Sequence, residues 1–120
     1  MGKAILGARI LVMGMTFKEN VADIRNSKVV DIINELKDFG VEGDVVDPYA
    51  DPEEVKKMYG FRLIEKPLGN YDAVVVAVAH DAYQGLDEKY FKSLTCDKAV
   101  LVDVKGMYRD KIHELKYWSL

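Results

Sequence analysis

Between Gly14 and Ser27 the chain reads Gly-Met-Thr-Phe-Lys-Glu-Asn-Val-Ala-Asp-Ile-Arg-Asn-Ser, a stretch rich in polar chemistry that a hydrophobic core does not need. Lys18 carries a mobile ammonium and Arg25 a planar fork able to grip two phosphate oxygens. Asp23 can orient the loop by accepting from backbone amides or from Arg25. These types at this spacing suit a phosphate-bearing ligand. They also read as a solvated loop closed by one internal ion pair, and spacing alone leaves both readings open. Lys105, in Asp-Val-Lys-Gly-Met at 103–107, is a further candidate phosphate ligand, with Gly106 allowing the backbone to bend or approach closely.

Three other residues invite chemistry. His80 ends an apolar run and is either an imidazole donating to a phosphate or ribose, or a turn residue capping the next helix. Asp47 could hold a ribose hydroxyl as the acid after a second strand does in dinucleotide folds, or could start a turn; no Gly-x-Gly-x-x-Gly accompanies it, which favours the turn. Cys96 has neither a base nor a setting that would form a thiolate nearby in sequence, so no catalytic residue is assigned. His113 lies in a charged tail and reads as solvated.

These residues need elements to hold them. Arg9 to Met13 is a short apolar run expected to form a strand buried on both faces, with the Lys18 loop leaving its carboxyl end, the edge where open α/β sheets bind ligands. Val29, Val30, Ile32, Ile33, Leu36 and Phe39 recur at spacings of three and four, predicting a helix from about Ser27, as N-cap, to Phe39, closed by Gly40. Residues 41–47 read as a second strand, parallel to the first, ended by Pro48. Asp51 and Pro52 look like N-cap and first position of a short helix through Met58. Phe61–Ile64 is a short edge strand or an extended connection, and 65–70 a polar loop.

Residues 72–79 form the most apolar run in the chain and predict a central strand. Short helical turns over 81–84 and 87–94 precede another buried strand over 98–103. The stretch 108–120, with Tyr117-Trp118, is a final edge strand, a docked tail or a surface for another domain. Strands alternating with helices predict an α/β fold: a Rossmann-like open, mainly parallel sheet with helices on both faces. Its loops would bring Lys18, Arg25, His80 and Lys105 to one crevice.

Composition narrows the function classes. At 120 residues the chain is one domain; 49% hydrophobic and 31% charged residues suit a folded globular protein. A net charge of −3 gives no reason to expect nucleic acid, while leaving room for a local basic site. A single cysteine excludes an internal disulfide and a cysteine-based zinc cluster, and no metal ligands are assigned; this fits a cytoplasmic setting. The opening Met1–Leu6 is too short an apolar run for a signal peptide or membrane span, and Leu6 stands where myristoylation wants Ser or Thr.

The Gly14–Ser27 stretch, with its Phe-Lys and Asp-x-Arg, resembles the signature opening the C-terminal domain of the UDP-glucose/GDP-mannose dehydrogenase family. Asp47-Pro48-Tyr49-Ala50, Ala77-Val78-Ala79-His80 and Val102-Asp103-Val104-Lys105-Gly106 are similar to that domain's other marks, in the same order. The branch most resembled acts on UDP-N-acetylhexosamines. The resemblance implies a single UDP-sugar-binding domain over 1–120, belonging to a longer, homo-oligomeric, NAD-dependent enzyme of polysaccharide precursor synthesis that oxidises a sugar C6 hydroxyl to a carboxylate. The NAD-binding domain and the central domain with the catalytic cysteine are absent, so the chain is expected to turn over nothing alone. By position Phe17 and Lys18 would contact the UDP-sugar and Arg25 the NAD pyrophosphate. Lys105 would contact substrate where many relatives carry an arginine reaching a neighbouring subunit. The reading from a different class is a stand-alone, non-catalytic nucleotide-binding or oligomerisation module.

Overall fold

Leu11, Val12 and Met13 have almost no solvent exposure, as an unbroken apolar run in a central strand requires. The computed structural model describes residues 8–119. The reading of Met1–Leu6 therefore lies outside the described residues. In chain order the elements are β1 (Arg9–Met13), α1 (Val29–Asp38), β2 (Glu42–Val46), α2 (Pro52–Tyr59) and β3 (Tyr71–Val76). A 3-10 turn (Asp81–Tyr83), α3 (Glu88–Leu94), β4 (Thr95–Asp103) and β5 (Lys116–Ser119) follow.

All four strand pairings are parallel, in the order β2-β1-β3-β4-β5. The two-residue period of a strand splits β1 between two cores. Val12 packs with Val29, Val30 and Ile33 of α1 and Val55 of α2. Leu11 and Met13 face the other way, with Val74 and Val76 of β3, Leu101 of β4, Tyr83, and Phe91 of α3. Helices therefore lie on both faces, and the expected α/β class holds. Burying each such aliphatic side chain contributes about 1.5–3 kcal/mol, which is why the central strands tolerate no polar interruption.

The ends of the elements follow local chemistry. Helix α1 closes in a Schellman motif, with Gly40 at φ 74 donating to Lys37 O and Val41 donating to Leu36 O. Helix α2 begins as its sequence predicts: the Asp51 side chain accepts from the Glu53 amide, and Pro52 occupies the first turn.

Three expectations need adjustment, and one open alternative is decided. Ser27 is not the cap of α1; its hydroxyl donates to Met15 O at 2.5 Å, and Lys28 takes the N-cap position without a side-chain bond. Of the two readings of residues 61–64 the extended connection holds, with Ile64 N donating to Val45 O along the outer edge of β2. Strand β3 runs from Tyr71 to Val76 rather than to 79, although Ala77 N still donates to Met13 O at 2.9 Å. Strand β4 starts at Thr95, directly after α3, and its pairing with β3 shifts register between Tyr71 and Ala73.

Candidate functional site

In a 2-1-3-4-5 sheet the chain reverses its direction of travel between β1 and β3, and the loops leaving those strands part to open a crevice at the carboxyl edge. A cleft of about 260 Å³ lies there. The loop after β1 lines it with Thr16, Phe17, Lys18 and Glu19, the start of α1 with Lys28 and Val29, the loop after β3 with Ala77 and Val78, and the loop after β4 with Val104 and Lys105. Three strands thus deliver side chains to one place.

The cleft has a small apolar floor and a cationic rim. Lys18, Lys28 and Lys105 oppose one acid, Glu19, and among the described residues none of the three lysines is ion-paired. Phe17 is half exposed, at 52%, beside them. The amino end of α1 opens onto the same space and adds its partial positive charge. This arrangement attracts an anion and offers an aromatic face next to it.

Close backbone approach makes the crevice narrow at its base. Gly14 sits at φ 91, and a Cβ there would stand 2.7 Å from Val78 Cβ and 3.1 Å from Val78 N. The loops after β1 and β3 can touch only because residue 14 has no side chain.

Beneath the rim lies a buried polar knot. The Asp47 carboxylate, whose side chain is wholly buried, accepts from Met15 N at 2.7 Å, Thr16 N at 3.2 Å, Tyr49 N at 2.7 Å, Ala50 N at 3.2 Å and His80 Nε2 at 3.0 Å. Those donors fill the roughly four lone-pair sites a carboxylate offers, leaving no capacity for a ribose hydroxyl. The turn reading of Asp47 therefore holds, and the residue also ties the loops after β1, β2 and β3 together. His80 is buried completely and does not line the cleft. It stands at the N-cap position of the 3-10 turn without making a cap bond.

Of the residues singled out from sequence, Phe17, Lys18 and Lys105 come together in the cleft. Arg25 does not line it, contrary to the expected single crevice. Its side chain is 75% exposed, with Nε donating to Asp23 Oδ1 at 3.1 Å and Nη2 to Asp23 Oδ2 at 3.2 Å. That pairing holds the Asp23 carboxyl below its usual range and pushes the guanidinium's up. Lys28 lines the cleft and was missed from sequence. A signal existed, since a lysine at a helix start opposes the macrodipole and asks for another reason to be there.

A parallel doubly wound sheet with a cationic cleft at its switch point defines an α/β domain shaped to receive an anionic ligand. The family profile described as "UDP-glucose/GDP-mannose dehydrogenase family, UDP binding domain" matches residues 11–110, and the chain belongs to that family. It is 38% identical over 111 residues to a UDP-N-acetyl-D-glucosamine 6-dehydrogenase of Pseudomonas aeruginosa, covering 92% of this chain and 26% of that protein. It is 42% identical over 107 residues to Protein CapL of Staphylococcus aureus, covering 88% and 25%. Its fold matches the crystal structure of NDP-N-acetyl-D-galactosaminuronic acid dehydrogenase from Methanosarcina mazei Go1 with a TM-score of 0.86 at 22% identity, over 98% of this chain and 25% of that one. The chain thus spans about a quarter of the length of the relatives it matches. Among the described residues, no helix is long and apolar enough to cross a membrane.

Proposed function

We propose that this chain is the nucleotide-diphosphate-binding domain of a UDP-sugar 6-dehydrogenase, acting on a UDP-N-acetylhexosamine as its relatives' names indicate. The observation that carries this reading is the cleft at the β1/β3 switch point that gathers Phe17 and Lys18 from the loop after β1 and Lys105 from the loop after β4. Lys18 and Lys105 would neutralise the diphosphate, with Lys28 and the start of α1 adding to the field, and Phe17 would pack on the ligand's ring face. Because Lys105 shares the cleft with Lys18, both are assigned to one ligand.

In the parent enzyme the sugar CH2–OH becomes a carboxylate by loss of two hydrides, with water supplying the second oxygen. Two NAD molecules in succession, held mainly by other domains, would each accept one hydride. Arg25 suits its pyrophosphate: Asp23 occupies two N–H groups and holds the plane, and the remaining donors face solvent. Among the described residues none is assigned as a nucleophile, and the chain alone is expected to perform no oxidation.

Titration of UDP into the 15N-labelled chain tests the reading. Shifts concentrated at Phe17, Lys18, Lys28 and Lys105, and abolished in Lys18→Ala, are expected; shifts elsewhere, or none, would remove the assignment. Steady NADH formation from NAD and UDP-N-acetylglucosamine by this chain alone would refute the division of labour.

A further inference from the structure

We infer that His80, as the neutral Nε2–H tautomer, is the positioning residue that holds the Phe17–Lys18 tip in shape for its ligand. This rests on the cleft reading above. The ring's two nitrogens are both engaged, and their partners fix the tautomer. Asn20 N–H donates to Nδ1 at 2.9 Å, so Nδ1 carries a lone pair. Nε2 therefore bears the hydrogen and donates to Asp47 Oδ2 at 3.0 Å, with Thr16 Oγ1 a second acceptor at 3.3 Å.

Those contacts fall on either side of the tip. Thr16, before it, is held by the Asp47 carboxylate and passes its own hydroxyl hydrogen to Lys18 O at 2.9 Å. Asn20, after it, is pinned through its amide by His80, and its side-chain oxygen accepts from Asp81 N at 2.8 Å. Asn20 is in the left-handed region at φ 63, which asparagine adopts more readily than other residues with a Cβ. The imidazole is itself immobilised, with the Tyr49 ring centroid at 4.6 Å and the Tyr83 ring at 5.4 Å. Phe17 and Lys18 stay exposed while both feet of their loop are anchored in one buried pair. A tip ordered before the ligand arrives loses less entropy on binding.

Three measurements on the 120-residue chain decide the matter. Ring 15N shifts should show Nε2 protonated and Nδ1 bare, with and without UDP; an Nδ1–H ring overturns the proposal. His80→Ala should speed amide exchange at Asn20 while Val74 to Val76 stay protected, and weaken UDP binding about tenfold. His80→Gln, which again presents an acceptor and a donor, should recover most of that loss. UDP affinity within twofold of the parent chain in a folded His80→Ala, where Lys18→Ala does weaken binding, overturns the positioning role and leaves the cleft reading intact. If Lys18→Ala leaves UDP affinity unchanged, the cleft reading fails; the positioning role is then judged on Asn20 exchange alone, and unchanged protection overturns it. Should His80→Ala not fold, His80→Gln carries the test: affinity and Asn20 protection must move together, and either changing without the other refutes the inference.

Discussion

Replacing Gly14 with alanine adds one methyl group where two loops touch, and its cost can be worked from the geometry. The new Cβ would lie 2.7 Å from Val78 Cβ and 3.1 Å from both Val78 Cγ2 and Val78 N, so a rotamer change at Val78 cannot remove the clash. The φ of 91 at residue 14 adds a backbone term of about 1–2 kcal/mol for any residue with a Cβ. Overpacking a rigid contact adds about 1–3 kcal/mol. The sum, about 2–5 kcal/mol, is a large part of the roughly 5–15 kcal/mol that stabilises a domain. In urea, with a slope of about 1–3 kcal/mol/M, a loss near 3 kcal/mol lowers the midpoint by roughly 1–3 M. Val78→Ala alone should cost about 1–2 kcal/mol in lost burial, yet in the Gly14→Ala background it should cost somewhat less, since it also relieves the Cγ2 contact. The Cβ and amide nitrogen contacts and the φ term remain, so the double variant should stay well below the parent. A Gly14→Ala midpoint within a few tenths molar of the parent would refute the claim that these loops meet through residue 14.

Other perturbations separate the parts of the edge. The Tyr83 hydroxyl is buried with no hydrogen-bond partner among the described residues, and burial pushes its pKa far up, so Tyr83→Phe should be neutral or stabilising by up to about 1 kcal/mol in thermal melts. Asp103, fully buried, accepts from Met107 N, Tyr108 N and the Tyr117 hydroxyl; Asp103→Ala should cost about 2–4 kcal/mol and, by loosening the loop that carries Lys105, weaken UDP binding in titration calorimetry. The Glu88 carboxyl is held below its ordinary 4.5 first by the Leu115 amide, then by those of Glu114 and His113. Its contribution is complete above that ordinary value and disappears as pH falls through the depressed folded value, so acid titration should release amides 113–115 to exchange before the core opens, and Glu88→Gln should release them at neutral pH.

Much of the frame was legible because local signals agreed with the fold. The run at 9–13 could only be a doubly buried strand, and Asp51-Pro52 carries both the acceptor and the preset φ of a helix start. What escaped depended on partners distant in sequence. Ser27 has the chemistry of a cap, but the Met15 carbonyl, 12 residues earlier, took its hydroxyl. The end of the chain left strand, tail and docking surface open because Lys116–Ser119 alternates between exposed and half-buried; only pairing with β4 makes it β5. For the candidate site, residue types singled out Lys18 and Lys105, and the topology places both on one cleft. His80 could not be read as a buried hinge pin, since its partners at Asn20 and Asp47 lie 60 and 33 residues away.

Asp47, just after β2, and Asp103, at the end of β4, explain why lysines rather than loop amides give this edge most of its charge. Loops leaving parallel strands present bare amides, and in many α/β folds those amides bind the phosphate directly. Here Asp47 takes the amides of Met15, Thr16, Tyr49 and Ala50, and Asp103 those of Met107 and Tyr108. With those donors satisfied from within, the positive potential at the rim falls to Lys18, Lys28 and Lys105 and to the amino end of α1. A site built on exposed ammonium groups is screened by salt more than one built on buried amides. UDP affinity should therefore drop steeply between low and physiological ionic strength, and Lys105→Gln should flatten that dependence as well as weaken binding. A salt-independent affinity would mean that amides, not lysines, hold the diphosphate.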